Sequence, residues 1–160
     1  MTRNRTGIVL AVLLALAPTW VAANREFIAF DPDTVSVPEG LTENETTKAL
    51  MTAFVMRGWR MTEVSRDQGY IDAEIPVRAH VGRVRAQIDD GVISFQFREG
   101  ENLPQKWLTD RGGTTGKEIF YKKQDESDVM AVHRNYLSWV QELARTVEGT
   151  LRLQSLPKDG

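Results

Sequence analysis

The stretch from His133 to Leu151 constrains the fold most, because apolar or amphipathic residues repeat along it at helical spacing. A recurrence every three or four positions places side chains on one face of an α-helix. The stripe comprises Met130, His133, Leu137, Val140, Ala144, Val147 and Leu151. Such a helix must bury its stripe, so the rest of the chain has to provide a surface. The helix is predicted to begin near Ser127 or Asp128, either of which can cap it, and to end between Glu148 and Leu153.

A β-hairpin is predicted around Asp90-Gly91, the residue pair that favours a two-residue turn. Strands are expected over His80–Ile88 and Val92–Arg98. A two-residue loop places three apolar residues of one strand opposite three of the other, and a slip of one residue would break every pair. The pairs are Ile88 with Ile93, Ala86 with Phe95, and Val84 with Phe97.

Further elements precede the hairpin. Thr42 and Glu45 have capping-box spacing, and Gly58 follows the apolar pattern, so a helix is predicted over about 43–57. Strands are predicted over 59–64 and 70–75. Pro76 is expected to interrupt the second strand, because proline has no N–H to donate.

The elements together predict an α+β fold, a two-layer sandwich in which both helices cover one face of the sheet. Its order is helix, three or four antiparallel strands, helix. The other face would carry Arg83, Arg85 and Arg98, which can form a seat for an anionic partner because guanidinium binds carboxylate or phosphate in two places. In the alternative interpretation, Asp72 and Glu74 on the neighbouring strand neutralise the arginines.

The N-terminal residues resemble a secretory signal. Arg3 and Arg5 precede an apolar run over 8–17, Pro18 breaks that run, and small residues at 21–23 suit cleavage. An uncleaved anchor with Trp20 at the membrane interface is the alternative. The chain is therefore divided into a signal peptide (1–23), a lead-in arm (24–41), a single domain (42–153) and a flexible tail (154–160). In the arm, Phe27, Ile28 and Phe30 form either a short edge strand or a packed arm.

Composition narrows the class of protein. With 41% hydrophobic and 26% charged residues, the chain has the make-up of a soluble globular protein. Loss of Arg3 and Arg5 with the signal would change the net charge from -2 to -4, which argues against a nucleic-acid binder. Cysteine is absent, which excludes a disulfide scaffold, a cysteine metal site and a lipidated N-terminal cysteine. An exported domain of this kind is expected in a bacterial periplasm.

A polar insertion is predicted over 104–126, too long for a structureless loop in a compact domain. We expect either a short hairpin around Gly112-Gly113 or a mobile insertion held by its aromatic residues. Trp107 lies among lysines there, and an exposed tryptophan would indicate a contact surface.

No catalytic signature is present. His133 is the first candidate for chemistry, but a histidine base needs an orienting partner, and a half-buried histidine bonded to a loop near Asn102 explains it equally. A metal site with His80 would need a converging carboxylate. There is no G-x-S-x-G, and Gly112–Lys117 lacks the glycine spacing of a phosphate loop. The sequence therefore indicates no catalytic residue, no metal and no cofactor.

Several segments together resemble a family of small exported, commonly lipid-anchored Gram-negative envelope proteins without an assigned activity. The resemblance covers about 45–152. It rests on Ala49-Leu50, Arg57-Gly58-Trp59, the stretch 71–80, Asn102-Leu103 and the stretch 133–140. It implies an envelope location and a helix–strands–helix fold, and it transfers no site residue. The chain departs from that family in lacking a lipidated cysteine and in the stretch 104–123, which looks inserted.

The sequence thus predicts a periplasmic, non-enzymatic binding module without a membrane span after cleavage. Its partner would be an anionic envelope component or another envelope protein, bound through the arginines, Trp107, Asn102 or His133. The alternative is an envelope enzyme with a site near His133 and residues 104–126.

Overall fold

The structure is a computed structural model that describes residues 27–108, 120–121 and 129–157. Its elements confirm the α+β class. In chain order they are β1 (Phe27–Ala29), β2 (Val35–Ser36), α1 (Glu43–Met56), β3 (Arg60–Ser65), β4 (Tyr70–Val77), β5 (His80–Asp89), β6 (Val92–Glu101), β7 (Gln105–Leu108), β8 (Phe120–Tyr121), β9 (Val129–His133) and α2 (Arg134–Ser155).

A capping box at its start and a glycine just past its end define the limits of helix α1. The Thr42 hydroxyl accepts a hydrogen bond from the Glu45 N–H, and the Glu45 carboxylate accepts one from the Thr42 N–H at 3.0 Å. This capping box satisfies two of the N–H groups that the first turn leaves without a helical partner. At the other end Gly58 adopts a φ of +74°, where glycine alone avoids a steric penalty.

A five-stranded antiparallel sheet has the order β2-β6-β5-β4-β3, where three or four strands were predicted. The additional strand, β2, comes from the lead-in arm and pairs Val35 with Ile93. The predicted hairpin register is confirmed at all three apolar pairs. Asp90 and Gly91 both have positive φ, at +44° and +74°, as a two-residue turn with this twist requires.

Strand β4 continues through Pro76, so the predicted interruption there is wrong. Pro76 pairs with Val81 and Val77 with His80. The neighbour on the other side, β3, pairs with β4 only as far as Glu74. Beyond that point β4 pairs on one side only among the described strands, and an edge position tolerates the missing N–H of proline.

A second, four-stranded sheet was not predicted; its order is β1-β9-β7-β8. Strand β9 occupies the place where the last helix was expected to begin, and α2 begins only at Arg134. The predicted starts Ser127 and Asp128 lie outside the described residues. Met130 and His133 fit helical spacing, but a short apolar run is ambiguous, and pairing with β1 and β7 makes it a strand.

The polar insertion contains a strand pair that flanks residues 109–119. Trp107 pairs with Tyr121 and Leu108 with Phe120. Gly112-Gly113, the expected turn, lies outside the described residues. The lead-in arm likewise forms a strand, since Phe27 pairs with His133 in β1.

Both helices and the apolar side of the five-stranded sheet share one core. Helix α1, helix α2 and the sheet each contribute fully or almost fully buried side chains. The buried stripe of α2 also includes Tyr136 and Leu143, which the sequence pattern left out. The α2 helix continues to Ser155, so the predicted tail boundary at 154 falls inside it. The shared core includes Leu50, Phe54, Ile71, Val84, Ala86, Ile93, Phe95, Leu137, Val140, Leu143 and Val147.

Candidate binding cleft

A cleft of about 480 Å³ opens where three connections of the chain meet. Val77, Arg78 and His80 come from the β4–β5 turn, and Leu103 and Pro104 follow β6. The junction of β9 with α2 contributes His133, Asn135 and Trp139. Both histidines of the chain therefore line one cleft, although 53 positions separate them. This convergence was not predicted from the sequence.

His80 is oriented by the backbone of the segment that follows β6. Its Nδ1 lies 2.5 Å from the carbonyl oxygen of Asn102, and the Asn102 amide donates to the Ala79 carbonyl at 2.8 Å. A carbonyl oxygen only accepts, so the Nδ1 of His80 carries the proton in this contact. With this proton on Nδ1, Nε2 is the ring nitrogen that can accept a hydrogen bond in the neutral tautomer. Asn102, a predicted site residue, thus supports His80 and not His133.

His133 is half-buried and caps α2 instead of lying on its apolar stripe. Its Nδ1 accepts a hydrogen bond from the Asn135 N–H at 3.2 Å. This contact satisfies one of the N–H groups at the start of the helix, a task usually performed by serine, threonine, asparagine or aspartate. The cap fixes His133 at the wall of the cleft with Nδ1 unprotonated.

Arg78 is exposed at the cleft and has an uncommon backbone conformation, with φ at +57°. Among the described residues it makes no hydrogen bond or ion pair. Asn102 also has a positive φ, at +53°. Arg78 is the first residue of the two-residue turn between Val77 and His80, as Asp90 is of the turn between Asp89 and Val92, and these hairpin turns account for the positive φ values of both residues.

The Trp139 ring forms one wall of the cleft and is supported by other aromatic rings of the core. Its ring meets the edge of Tyr136 with centroids 6.4 Å apart, and Tyr136 in turn stacks on Phe30 at 5.6 Å. The Tyr136 hydroxyl donates to the Arg83 carbonyl of β5, and burial raises the pKa of this phenol. Trp139 itself is only half-buried, so its ring is both supported and accessible.

The cleft is short of acidic groups. No carboxylate lines it within the described part of the chain. Over the same residues, no cluster of three or more histidine, aspartate or glutamate side chains is arranged to hold a metal ion. The described lining of the cleft therefore offers two hydrogen-bonding imidazoles, one amide, one guanidinium and one aromatic ring.

The polar face of the five-stranded sheet carries the predicted arginine cluster. Arg83 lies directly opposite Arg98, as the register predicted. Arg85 forms a two-point pair with Asp72 at 2.7 and 2.6 Å, and its guanidinium lies 3.5 Å from the centre of the Tyr70 ring. Arg98 lies 3.8 Å from Asp72.

Carboxylates also surround Arg83. It donates to Glu74 at 3.2 Å and to Glu101 at 2.6 Å, and the pKa of the guanidinium is raised by these two acids. Glu74 accepts from Arg60 as well, and the hydrogen bonds from Arg60 and Arg83 lower the pKa of this carboxyl. The arrangement matches the alternative weighed from the sequence, in which neighbouring acids neutralise the arginines.

Trp107 lies in β7, where its backbone is paired with Met130 on one side and Tyr121 on the other. The predicted site residues thus divide among three places. His133 lines the cleft and Asn102 adjoins it, the three arginines lie on the polar face, and Trp107 belongs to the second sheet. Arg78 and Trp139 were not predicted as site residues, and His80 was considered only as part of a metal site.

Comparisons with known proteins assign no family to this fold and site. No protein-family model matches the chain, and searches of curated proteins and of solved structures found no match. Within the described ranges, neither helix combines the length and apolar character needed to traverse a lipid bilayer.

Proposed function

We propose that this chain is a small, non-enzymatic binding module of the bacterial periplasm whose ligand site is the cleft at Arg78, His80 and Trp139. The observation that carries the proposal is the convergence of three chain segments on one cleft of about 480 Å³. Ligand sites are typically concave, span several hundred Å³ and combine apolar walls with a few placed polar groups. The cleft has this composition.

The helix-capping role of His133 favours binding over catalysis at this residue. A histidine base is usually held by an acceptor on its far nitrogen, commonly a carboxylate. His80 has such an acceptor in the Asn102 carbonyl, whereas the Nδ1 of His133 accepts from the Asn135 N–H and serves as the cap of α2. An envelope enzyme with its site near His133 is therefore the weaker interpretation.

The proposal also includes the finer arrangement expected from the sequence. Both helices cover the apolar side of the sheet in two layers, and the polar face lies on the opposite side. The shared core of α1, α2 and the inward strand residues supports this arrangement. Export rests on the sequence of residues 1–23 alone, and the proposed ligand is an envelope component.

The test is retention of a ligand from an envelope extract. Purified protein is incubated with the extract and passed through gel filtration, and retained compounds are identified by mass spectrometry. We expect a compound that the wild type and Ser138→Ala retain, because Ser138 is exposed and does not line the cleft. Trp139→Leu and Asn135→Ala should lose it while remaining folded by circular dichroism.

The outcomes separate the interpretations. Equal retention by wild type and both cleft variants, or no retained compound at all, would contradict the proposed site. Conversion of the retained compound into a product would establish the enzyme instead.

A further inference from the structure

We infer that the cleft selects organic anions: ligands in which a carboxylate or phosphate is attached to a planar apolar body. The inference rests on the proposed function and specifies its ligand class. Its starting point is the contrast between two arginines of neighbouring sequence, Arg78 and Arg83. Arg83 is held between Glu74 and Glu101, whereas Arg78 has no partner among the described residues.

Among the described residues, the cleft is lined by one arginine without a partner and by no carboxylate, and this combination gives the described lining a positive charge. Guanidinium presents a planar set of N–H donors that matches carboxylate and phosphate in two-point contacts. The paired arginines of the polar face would first have to leave Asp72, Glu74 or Glu101 before they bound an anion. Arg78 has no such competing contact with the described residues, so anion binding is favoured here.

The remainder of the lining fits the neutral part of such a ligand. Trp139 offers a supported aromatic ring on which a planar group can stack. Val77, Leu103 and Pro104 supply apolar contacts, and the exposed Asn135 amide supplies a further donor. A cleft of about 480 Å³ accommodates a ring with one anionic substituent and leaves room for a larger body.

The experiment compares three probes that differ in one substituent: benzoate, phenyl phosphate and the neutral benzyl alcohol. Each is titrated into ¹⁵N-labelled protein while the amides of His80 and Asn135 and the indole N–H of Trp139 are followed by NMR. At least one anion should bind about tenfold more tightly than benzyl alcohol, the gain expected from one charge-assisted contact. Comparison of benzoate with phenyl phosphate identifies the preferred anionic group.

The matched variants are Arg78→Gln and Arg145→Gln. Arg145 is also exposed and has no described partner, but it lies on α2 away from the cleft lining. Arg78→Gln should abolish the preference, so that neither anion binds more tightly than benzyl alcohol, whereas Arg145→Gln should retain the preference.

Two results would overturn the inference. Equal affinity for all three probes, unaffected by Arg78→Gln, would show that the cleft binds ligands without selecting charge; the proposed function would then stand. Absence of any shift at His80, Asn135 and Trp139 with either anion would also contradict it, and the retention experiment would then decide the proposed function independently.

Discussion

Arg78 and Arg83 show how far residue type alone predicts a role. Both are arginines in or beside β5, and from the sequence Arg83 was the stronger candidate because it clusters with Arg85 and Arg98. The register of β4 against β5 places Glu74 opposite Arg83 and Asp72 opposite Arg85, so these cations are neutralised by their neighbours. Arg78 lies in the β4–β5 turn and is not among the paired residues of these two strands. Its availability depends on tertiary placement, which no local pattern encodes.

Glu74→Gln tests the ion-pair network at the residue scale. Hydrogen bonds from Arg60 and Arg83 lower the pKa of Glu74 below its ordinary value of 4.5. A carboxyl with a lowered folded-state pKa stabilises the protein above its unfolded pKa, and this contribution disappears as the pH falls through the folded-state value. We therefore expect Glu74→Gln to lower the free energy of unfolding at neutral pH, and the difference from wild type to shrink in acid.

Urea unfolding at neutral pH and well below pH 4.5 measures that difference. Glu39→Gln is the matched control, because Glu39 is exposed and has no described partner. It should change stability little at either pH. A loss in Glu74→Gln of the same size under both conditions would mean that Glu74 contributes through packing and not through its charge.

At the scale of elements, the sequence predicted what local rules determine. The capping box and Gly58 correctly predicted where α1 begins and ends, and the turn at Asp90-Gly91 correctly predicted the hairpin register. The prediction failed at β9, where a short apolar run continues directly into a helix. Whether such a run forms a strand depends on the partners available, and here these are β1 and β7, distant in sequence.

Leu143→Ala tests whether α2 packs as described. Leu143 is fully buried in the core shared by both helices and the sheet, yet the sequence stripe omitted it. Its truncation should lower the free energy of unfolding by about 2 to 5 kcal/mol, the range for a buried leucine that leaves a cavity. Denaturant unfolding provides the measurement.

Leu153→Ala is the control on the same helix, since Leu153 is 71% exposed. Its effect should stay within about 0.5 kcal/mol, as for most surface substitutions. Similar losses for the two variants would mean that Leu143 does not lie on the buried face of α2.

At the scale of the molecule, both the second sheet and the cleft arise from contacts between distant segments. Strands β1, β7 and β9 belong to three separate parts of the chain, and the second sheet joins them. The cleft is likewise assembled from the β4–β5 turn, the segment after β6 and the start of α2. None of these segments contains a motif with a chemical meaning of its own. Of the cleft lining, His133 was identified from the sequence because it lay on the predicted helical stripe, and Asn102, which adjoins the cleft, was named as its possible hydrogen-bond partner.

Export is the whole-molecule prediction, and it concerns residues 1–23, outside the described ranges. Their positive start, apolar run and small residues at 21–23 are typical of a cleaved signal peptide. When the full chain is expressed in a Gram-negative host, mass spectrometry of the periplasmic protein should show a terminus near Asn24. Leu13→Arg, which places a charge in the apolar run, should leave the chain uncleaved and absent from the periplasm. A periplasmic protein that retains Met1 or Thr2 would instead support the alternative of an uncleaved anchor, with Trp20 at the membrane interface.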